Sequence, residues 1–130
     1  MNRRLSSALL GVAIVVVAAC SGGSTGSSDP AVGPSIDPDA LTIAADDLAF
    51  STRTLLAPAD EPFQIAFDNQ EGAPHNVAIY RDNSATDEVF GSDPFSGPAV
   101  VTYDVPALAS GTYFFRCDVH PDMFGELVVG

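Results

Sequence analysis

Short apolar segments separated by polar turns run from Ala40 to the C-terminus of the chain. In residues 63–67 the apolar side chains alternate with others at a period of two, which points Phe63, Ile65 and Phe67 to one face of a strand. No segment has the apolar stripe of an amphipathic helix. Further strands are predicted at residues 41–44, 48–50, 52–56, 76–80, 99–105, 112–117 and 125–129. The pattern predicts an all-β sandwich or barrel, with Phe50 and the three residues above in its core.

Residues 81–98 are the least regular part of this region, because Asp, Ser, Gly and Pro are frequent there. Val89, Phe90 and Phe95 are embedded among these polar and turn-forming residues. Such a composition is typical of loops. We therefore predict one long loop that contains at most a short strand or a helical turn.

Upstream of this region, a basic start followed by an apolar run indicates an export signal. Two arginines precede the run at residues 9–19, which is shorter than the roughly 20 residues that span a bilayer as a helix. The run ends in Val17-Ala18-Ala19-Cys20, which resembles the bacterial lipobox, where the cysteine becomes the lipid-modified first residue. We predict a lipoprotein signal peptide at residues 1–19 and lipidation of Cys20. The alternative is ordinary signal cleavage nearby, with Cys20 left as a free thiol.

The segment at residues 20–39 is dominated by Gly, Ser and Pro. It buries too little apolar surface to offset the ordering of its backbone, so we predict a flexible tether with a root-mean-square reach of about 24 Å. The tether leads to a single domain at residues 40–130. We expect an exported protein on the outer face of the cytoplasmic membrane or in the periplasm, attached to the membrane only through the lipid on Cys20.

The charge of the chain is strongly negative. Seventeen acidic residues stand against five arginines, and the net charge is −12. Nucleic-acid binding needs a basic face, so this class of function is excluded. A domain of this charge would also stand above anionic lipids and not spread across them.

The segment Cys117-Asp118-Val119-His120-Pro121-Asp122-Met123 places a thiol, an imidazole and a thioether on one predicted loop. Soft sulfur with imidazole favours copper, whereas carboxylate and carbonyl oxygens suit calcium or magnesium. The other histidine, His75, begins a predicted strand, and a β-sandwich can bring neighbouring strand ends together. His75, Cys117 and His120 then form a His₂Cys set with Met123 as a weak axial ligand, which is the donor pattern of a blue-copper site.

Each donor has a simpler explanation when it is taken alone. Cys117 would be a small buried hydrophobe, Met123 a filler of a gap in the core, and His75 a strand-end histidine with satisfied hydrogen bonds. The combination of the four donors in one exported acidic domain favours the metal site. Asp118 and Asp122 are either additional oxygen ligands or solvated surface acids, and their charge near copper would favour Cu(II) and lower the reduction potential.

These residues resemble the motifs of the cupredoxins, the group that includes plastocyanin, amicyanin and pseudoazurin. The resemblance covers residues 40–130 and implies a Greek-key β-sandwich with one copper ion that cycles between Cu(I) and Cu(II). It rests on Pro74-His75-Asn76, on Gly111-Thr112-Tyr113, and on the Cys-x-x-His-x-x-Met spacing that Gly125 follows. This short spacing is most similar to the loop of amicyanin.

The resemblance also implies a role for each residue of the motif. His75, Cys117 and His120 would be equatorial ligands, and Met123 would be the axial ligand. Asn76, which follows the first histidine, would tie the two ligand loops together by hydrogen bonds, and such bonds orient ligands. His120 would be the ligand at the solvent edge through which electrons pass.

Three functions are compatible with such a site. A membrane-tethered, extracytoplasmic one-electron carrier is favoured over a copper delivery or storage protein, whose sites use several Met or His residues in open coordination. An enzyme is disfavoured, because the two histidines of the chain cannot supply a further catalytic copper centre. We therefore expect a monomer that is not an enzyme, with a redox protein partner that presents a basic docking surface.

The surface that docks this partner is predicted around the copper end of the sandwich. Pro74, Phe95, Pro121 and Phe124 are the apolar candidates there, since an apolar patch around a buried redox centre marks a docking site. For Phe95 and Phe124, core filling is an equally good explanation.

Overall fold

A computed structural model of the protein describes residues 37–130. The predicted signal peptide, Cys20 and almost all of the predicted tether lie outside the described residues. Within the described part, no helix is long and apolar enough to cross a membrane.

The described residues form eleven β-strands, and most predicted strands are present. The strands are β1 (Leu41–Asp46), β2 (Ala49–Phe50), β3 (Thr54–Ala57), β4 (Phe63–Asn69), β5 (Pro74–His75), β6 (Ala78–Tyr80), β7 (Glu88–Gly91), β8 (Phe95–Ser96), β9 (Ala99–Val105), β10 (Gly111–Arg116) and β11 (Phe124–Val129). The predicted all-β class is confirmed, and β9 has the predicted bounds.

The strands form two larger sheets and one small one. The first has the order β2-β1-β4-β9, the second has the order β3-β11-β10-β6-β7, and β5 pairs with β8. Most neighbours are antiparallel, but β1 runs parallel to β4 and β3 runs parallel to β11. These parallel pairs require chain crossovers between the sheets, as expected for a sandwich that is not built from hairpins alone.

The core lies where the inward faces of these strands meet, and period-two alternation supplies it. Ile65 and Phe67 of β4 are fully buried and Phe63 is nearly so, as the alternation predicts. Phe115 of β10 is fully buried as well. Phe50 is only half-buried, and its ring packs against Phe67 and Phe115 at centroid distances of 6.2 and 5.5 Å.

The region predicted as one long loop is more regular than its composition indicates. It contains two short strands, β7 and β8, which pair with β6 and β5. The pairing is supplied by distant partners: Phe95 of β8 packs against Phe67, and its backbone carbonyl accepts a hydrogen bond from the buried Asn69. The frequent turn residues hide this regularity, because long-range contacts and not local preference stabilise these strands.

Candidate metal centre

Three donor atoms from two separate parts of the chain converge at one end of the sandwich. The Nδ1 atoms of His75 and His120 are 3.2 Å apart, and the Sγ atom of Cys117 lies 3.7 Å from the first and 3.8 Å from the second. Among the described residues, these three form the one group of His, Cys and acidic side chains close enough to share a metal ion.

The spacing of these atoms fits a single metal ion. A point equidistant from the three atoms lies about 2.1 Å from each of them, which matches the roughly 2.0–2.3 Å bonds that a first-row ion such as zinc makes with imidazole and thiolate. The chemistry of the donors selects copper, because two imidazoles, a thiolate and a nearby thioether form the blue-copper set. The four residues are therefore positioned for one type 1 copper site.

The loop between β10 and β11 carries three of the four donors and is closed by its own backbone. Cys117 follows the last residue of β10, and its N–H donates to the carbonyl oxygen of Met123 at 2.9 Å. The N–H of Met123 donates in turn to the carbonyl oxygen of His120, also at 2.9 Å. Cys117 and Met123 are buried in the core cluster, whereas His120 is only half-buried. The loop thus holds two donors in the core and one at the surface.

His75 reaches the site from the other side, at the end of β5. Its side chain is fully buried, and the pairing of β5 with β8 fixes its backbone opposite Phe95. The two histidine rings lie 4.7 Å apart between centroids. Burial of a polar ring needs a hydrogen-bond partner, and Glu71 provides it: its Oε1 atom lies 2.7 Å from Nε2 of His75.

Glu71 is a residue of the site that the sequence analysis did not identify. The same Oε1 atom accepts a hydrogen bond from the backbone N–H of Leu48 at 3.0 Å. That hydrogen bond lowers the pKa of Glu71. Partial burial raises the pKa, but the contact with His75 lowers it further, and the net shift is downward. The only sequence signal was the position of Glu71 four residues before His75, in a turn where acidic residues are common.

Asn76 joins the two ligand-bearing segments, as the resemblance implies. Its Oδ1 atom accepts from the backbone N–H of Asp118 at 2.7 Å, and its Nδ2 donates to a carboxylate oxygen of Asp118 at 3.0 Å. Nδ2 also donates to the backbone carbonyl of Ser92 at 3.0 Å. Asn76 follows His75 and Asp118 follows Cys117, so these hydrogen bonds connect the two segments that carry the ligands.

Asp118 is neither an additional oxygen donor of the metal group nor a freely solvated acid. Its carboxylate accepts hydrogen bonds from Asn76, from the hydroxyl of Tyr80 at 2.7 Å and from Nε of Arg116 at 2.9 Å. Burial would raise the pKa of Asp118, but these three partners outweigh it and lower the pKa. Asp122, in contrast, is exposed.

The apolar residues expected around the copper end have different surroundings. Pro74 and Pro121 are exposed, but Phe95 is half-buried against Phe67 and so belongs with the core. Phe124 is 40% exposed and packs against Phe114, its ring centroid 5.6 Å away, beneath the guanidinium of Arg53. Val119, within the ligand loop and 41% exposed, is an apolar surface residue that the sequence analysis did not select.

The sequence model of a family described as a cupredoxin-like domain matches residues 10–129, while a search of curated protein sequences returns no match. Among solved structures, dithionite-reduced auracyanin from Roseiflexus castenholzii is 21% identical with a TM-score of 0.63, covering 71% of this chain and 97% of that chain. Auracyanin A, a "blue" copper protein from Chloroflexus aurantiacus, is 22% identical with a TM-score of 0.61, covering 70% and 98%. Amicyanin from Paracoccus versutus is 23% identical with a TM-score of 0.57, covering 74% and 86%.

At these identities the solved structures establish a shared fold, and the match to the family extends over nearly the whole chain. The predicted Greek-key β-sandwich and the resemblance to cupredoxins are both confirmed. The chain belongs to the cupredoxin-like domain family.

Proposed function

We propose that this protein is a one-electron carrier that holds a single copper ion through His75, Cys117, His120 and Met123. The observation that carries the proposal is the triangle of Nδ1, Nδ1 and Sγ atoms around one point. A copper ion bound there supplies a one-electron couple between Cu(I) and Cu(II). The relatives described above include a protein named as a "blue" copper protein.

The residues around the donors favour electron transfer because they limit rearrangement. His75 is held through Nε2 by Glu71, and the backbone of the ligand loop is closed between Cys117 and Met123. Asn76 connects the two ligand-bearing segments. Ligands held in one geometry move little when the oxidation state changes, and this keeps the reorganisation cost of each transfer low.

The burial of the donors favours a carrier over copper delivery or storage. His75 and Cys117 are fully buried and Met123 is 2% exposed, so copper would be enclosed and slow to exchange. The half-buried His120 is the donor nearest to solvent and is the proposed route for electrons. Both histidines of the chain are used in this one site, which supports a role without catalysis.

The decisive experiment is a titration of the full chain with Cu(II). We expect one equivalent to bind with an intense blue colour from thiolate-to-copper charge transfer, and to be reduced and reoxidised repeatedly. Cys117→Ser should abolish the colour, because the thiolate is lost, while leaving the fold intact by circular dichroism. A colourless wild-type protein that retains Cu(I) through dialysis would favour delivery or storage instead.

We also propose that the domain is exported and anchored by a lipid on Cys20. It would lie on the outer face of the cytoplasmic membrane or in the periplasm. The support is the lipobox-like Val17-Ala18-Ala19-Cys20 after an apolar run. Expression of the full chain in a lipoprotein-exporting bacterium should place it in the membrane fraction. Cys20→Ala should release it from that fraction, and equal membrane retention of both forms would refute the lipid anchor.

The proposed partner is a redox protein with a basic docking surface, which the protein meets as a monomer. The support is charge: Arg53, Arg81 and Arg116 are the only basic residues of the domain apart from its histidines, against an excess of Asp and Glu. Electron transfer to a basic cytochrome should therefore slow as salt is added, whereas transfer to an acidic one should not. Rates that are independent of salt with both partners would contradict this.

A further inference from the structure

The Oε1 atom of Glu71 contacts both the imidazole ring of His75 and a turn that is distant in the sequence. Nε2 of His75 lies 2.7 Å from it, and the backbone N–H of Leu48 donates to it at 3.0 Å. The His75 side chain is fully buried, and that of Glu71 is 23% exposed. The carboxylate therefore lies at the boundary between the buried site and solvent.

This contact determines which nitrogen of His75 carries the hydrogen. An ionised carboxylate can only accept hydrogen bonds, so Nε2 of His75 must be the donor. In the neutral ring, Nδ1 is then an acceptor with a free lone pair. Nδ1 is the atom that lies 3.2 Å from His120 and 3.7 Å from Cys117, on the side of the donor group.

The backbone of Glu71 is held from both sides. Its N–H donates to Oδ1 of Asn69 at 3.1 Å, and its carbonyl accepts from the N–H of Gly97 at 2.9 Å. Asn69 is fully buried and also donates to the carbonyl of Ala73 at 2.9 Å. The loop that carries Glu71 is therefore fixed next to His75 and does not depend on the carboxylate for its position.

The turn between β1 and β2 supplies the second contact at a conformational cost. Asp46 pairs with Ala49, which leaves Asp47 and Leu48 as a two-residue turn with φ values of 50° and 55°. Such turns usually contain Asn-Gly, because a side chain in the left-handed region costs roughly 1–2 kcal/mol per residue. Leu48 is 55% exposed, so packing of its side chain stabilises this conformation little. The hydrogen bond from its N–H to Glu71 is the interaction that offsets the cost.

We propose that Glu71, held by the turn at Asp47–Leu48, is a positioning residue that fixes His75 in its Nε2–H form and strengthens Nδ1 as a donor to copper. The inference rests on the proposed copper site and specifies what controls it. A negative charge on the far side of the imidazole makes the ring a better electron donor. It therefore favours Cu(II) over Cu(I) and lowers the reduction potential.

The test compares Glu71→Gln, which keeps an acceptor but removes the charge, with Glu71→Ala, which removes both. Asp46→Asn is the matched control, because it removes an exposed charge from the end of β1, beside the turn that contacts Glu71, whereas the hydrogen bond to His75 comes from Glu71. The measurements are the reduction potential of the copper form and the Zn(II) affinity of the metal-free protein. The tautomer of His75 in the metal-free protein is read from its ¹⁵N chemical shifts.

We expect Nε2–H in the wild type, and a metal affinity 10–100-fold weaker in Glu71→Ala, the usual cost of removing such a partner. Glu71→Gln should lower the preference of the site for Cu(II) over Cu(I). Each tenfold loss of this preference raises the reduction potential by about 59 mV. Asp46→Asn should change the potential less than Glu71→Gln does. Leu48→Gly, which keeps the N–H and relieves the turn, should raise the melting temperature and leave the potential unchanged.

An Nδ1–H tautomer in the wild-type protein, or equal potentials in the wild type and Glu71→Gln, would overturn the inference. If Glu71→Ala fails to fold, Glu71→Gln still decides, because it has nearly the same shape. A wild type that binds no copper would refute the proposed function instead. The tautomer and the Zn(II) affinities would then still decide the role of Glu71.

Discussion

Two side-chain hydrogen bonds of Asn76 connect the two ligand-bearing segments and a third goes to Ser92, and Asn76→Ala removes all three at once. Two are made to neutral groups, the N–H of Asp118 and the carbonyl of Ser92, and are each worth about 1 kcal/mol. The third goes to the carboxylate of Asp118 and is worth roughly 1.5–3 kcal/mol, less a discount because that side chain is 33% exposed. The expected loss in the free energy of unfolding is about 3 kcal/mol.

Urea and thermal unfolding of the metal-free protein measure this loss without any contribution from metal binding. A loss of this size lowers the melting temperature by roughly 12–24 °C in a domain of about 100 residues. Asn83→Ala is the control: Asn83 is exposed, and its replacement should change stability by no more than about 0.5 kcal/mol. If Asn76→Ala costs less than about 1 kcal/mol, water replaces these bonds, and Asn76 does not stabilise the connection between the loops.

Three further changes test other parts of the structure. Gly125→Ala should destabilise the protein by about 1–3 kcal/mol in urea unfolding, because the new Cβ would overlap the ring of Phe115 and the backbone carbonyl oxygen of Arg53; an unfolding midpoint equal to that of the wild type would contradict this close packing. Asp122→Asn should raise the reduction potential slightly, and the rise should shrink with added salt, since Asp122 is exposed; no rise at low salt would eliminate its charge as a contributor. Burial and then the carboxylate of Asp118 raise the pKa of Tyr80 to about 12 from 10.0, so its contribution to stability is complete below pH 10 and is lost as the pH rises towards 12. Tyr80→Phe should therefore lose less of its free energy of unfolding between pH 10 and 12 than the wild type does. An equal dependence of stability on pH in the two proteins would contradict the raised pKa of Tyr80.

The strands could be predicted where one face carries larger apolar side chains than the other. In β4 the alternation of Phe63, Ile65 and Phe67 with less apolar residues follows the pleat directly, and the burial of these three side chains matches it. Strands β7 and β8 could not be predicted in the same way. They are short, and their partners β6 and β5 are not evident from local composition.

The metal donors could be predicted because their chemistry is rare in this chain. The protein has two histidines, two cysteines and two methionines, so a set that combines a thiol, two imidazoles and a thioether has few alternatives. To form the site, His75 and the loop after β10 must lie at the same end of the sandwich. The pairing of β6 with β10 places them there, because Ala78 lies opposite Arg116.

The partners of these donors could not be predicted, and the reason differs from one to the next. Glu71 is one of seventeen acidic residues, and nothing local distinguishes it from the others. The turn at Asp47–Leu48 lacks the glycine that usually reveals a left-handed turn, since its conformation is stabilised by the carboxylate of a residue 23 positions away. A site of this kind is recognised in a sequence by its scarce donors. How strongly those donors hold a metal depends on common residues that only the fold brings to them, and Glu71 is the residue at which this difference can be measured.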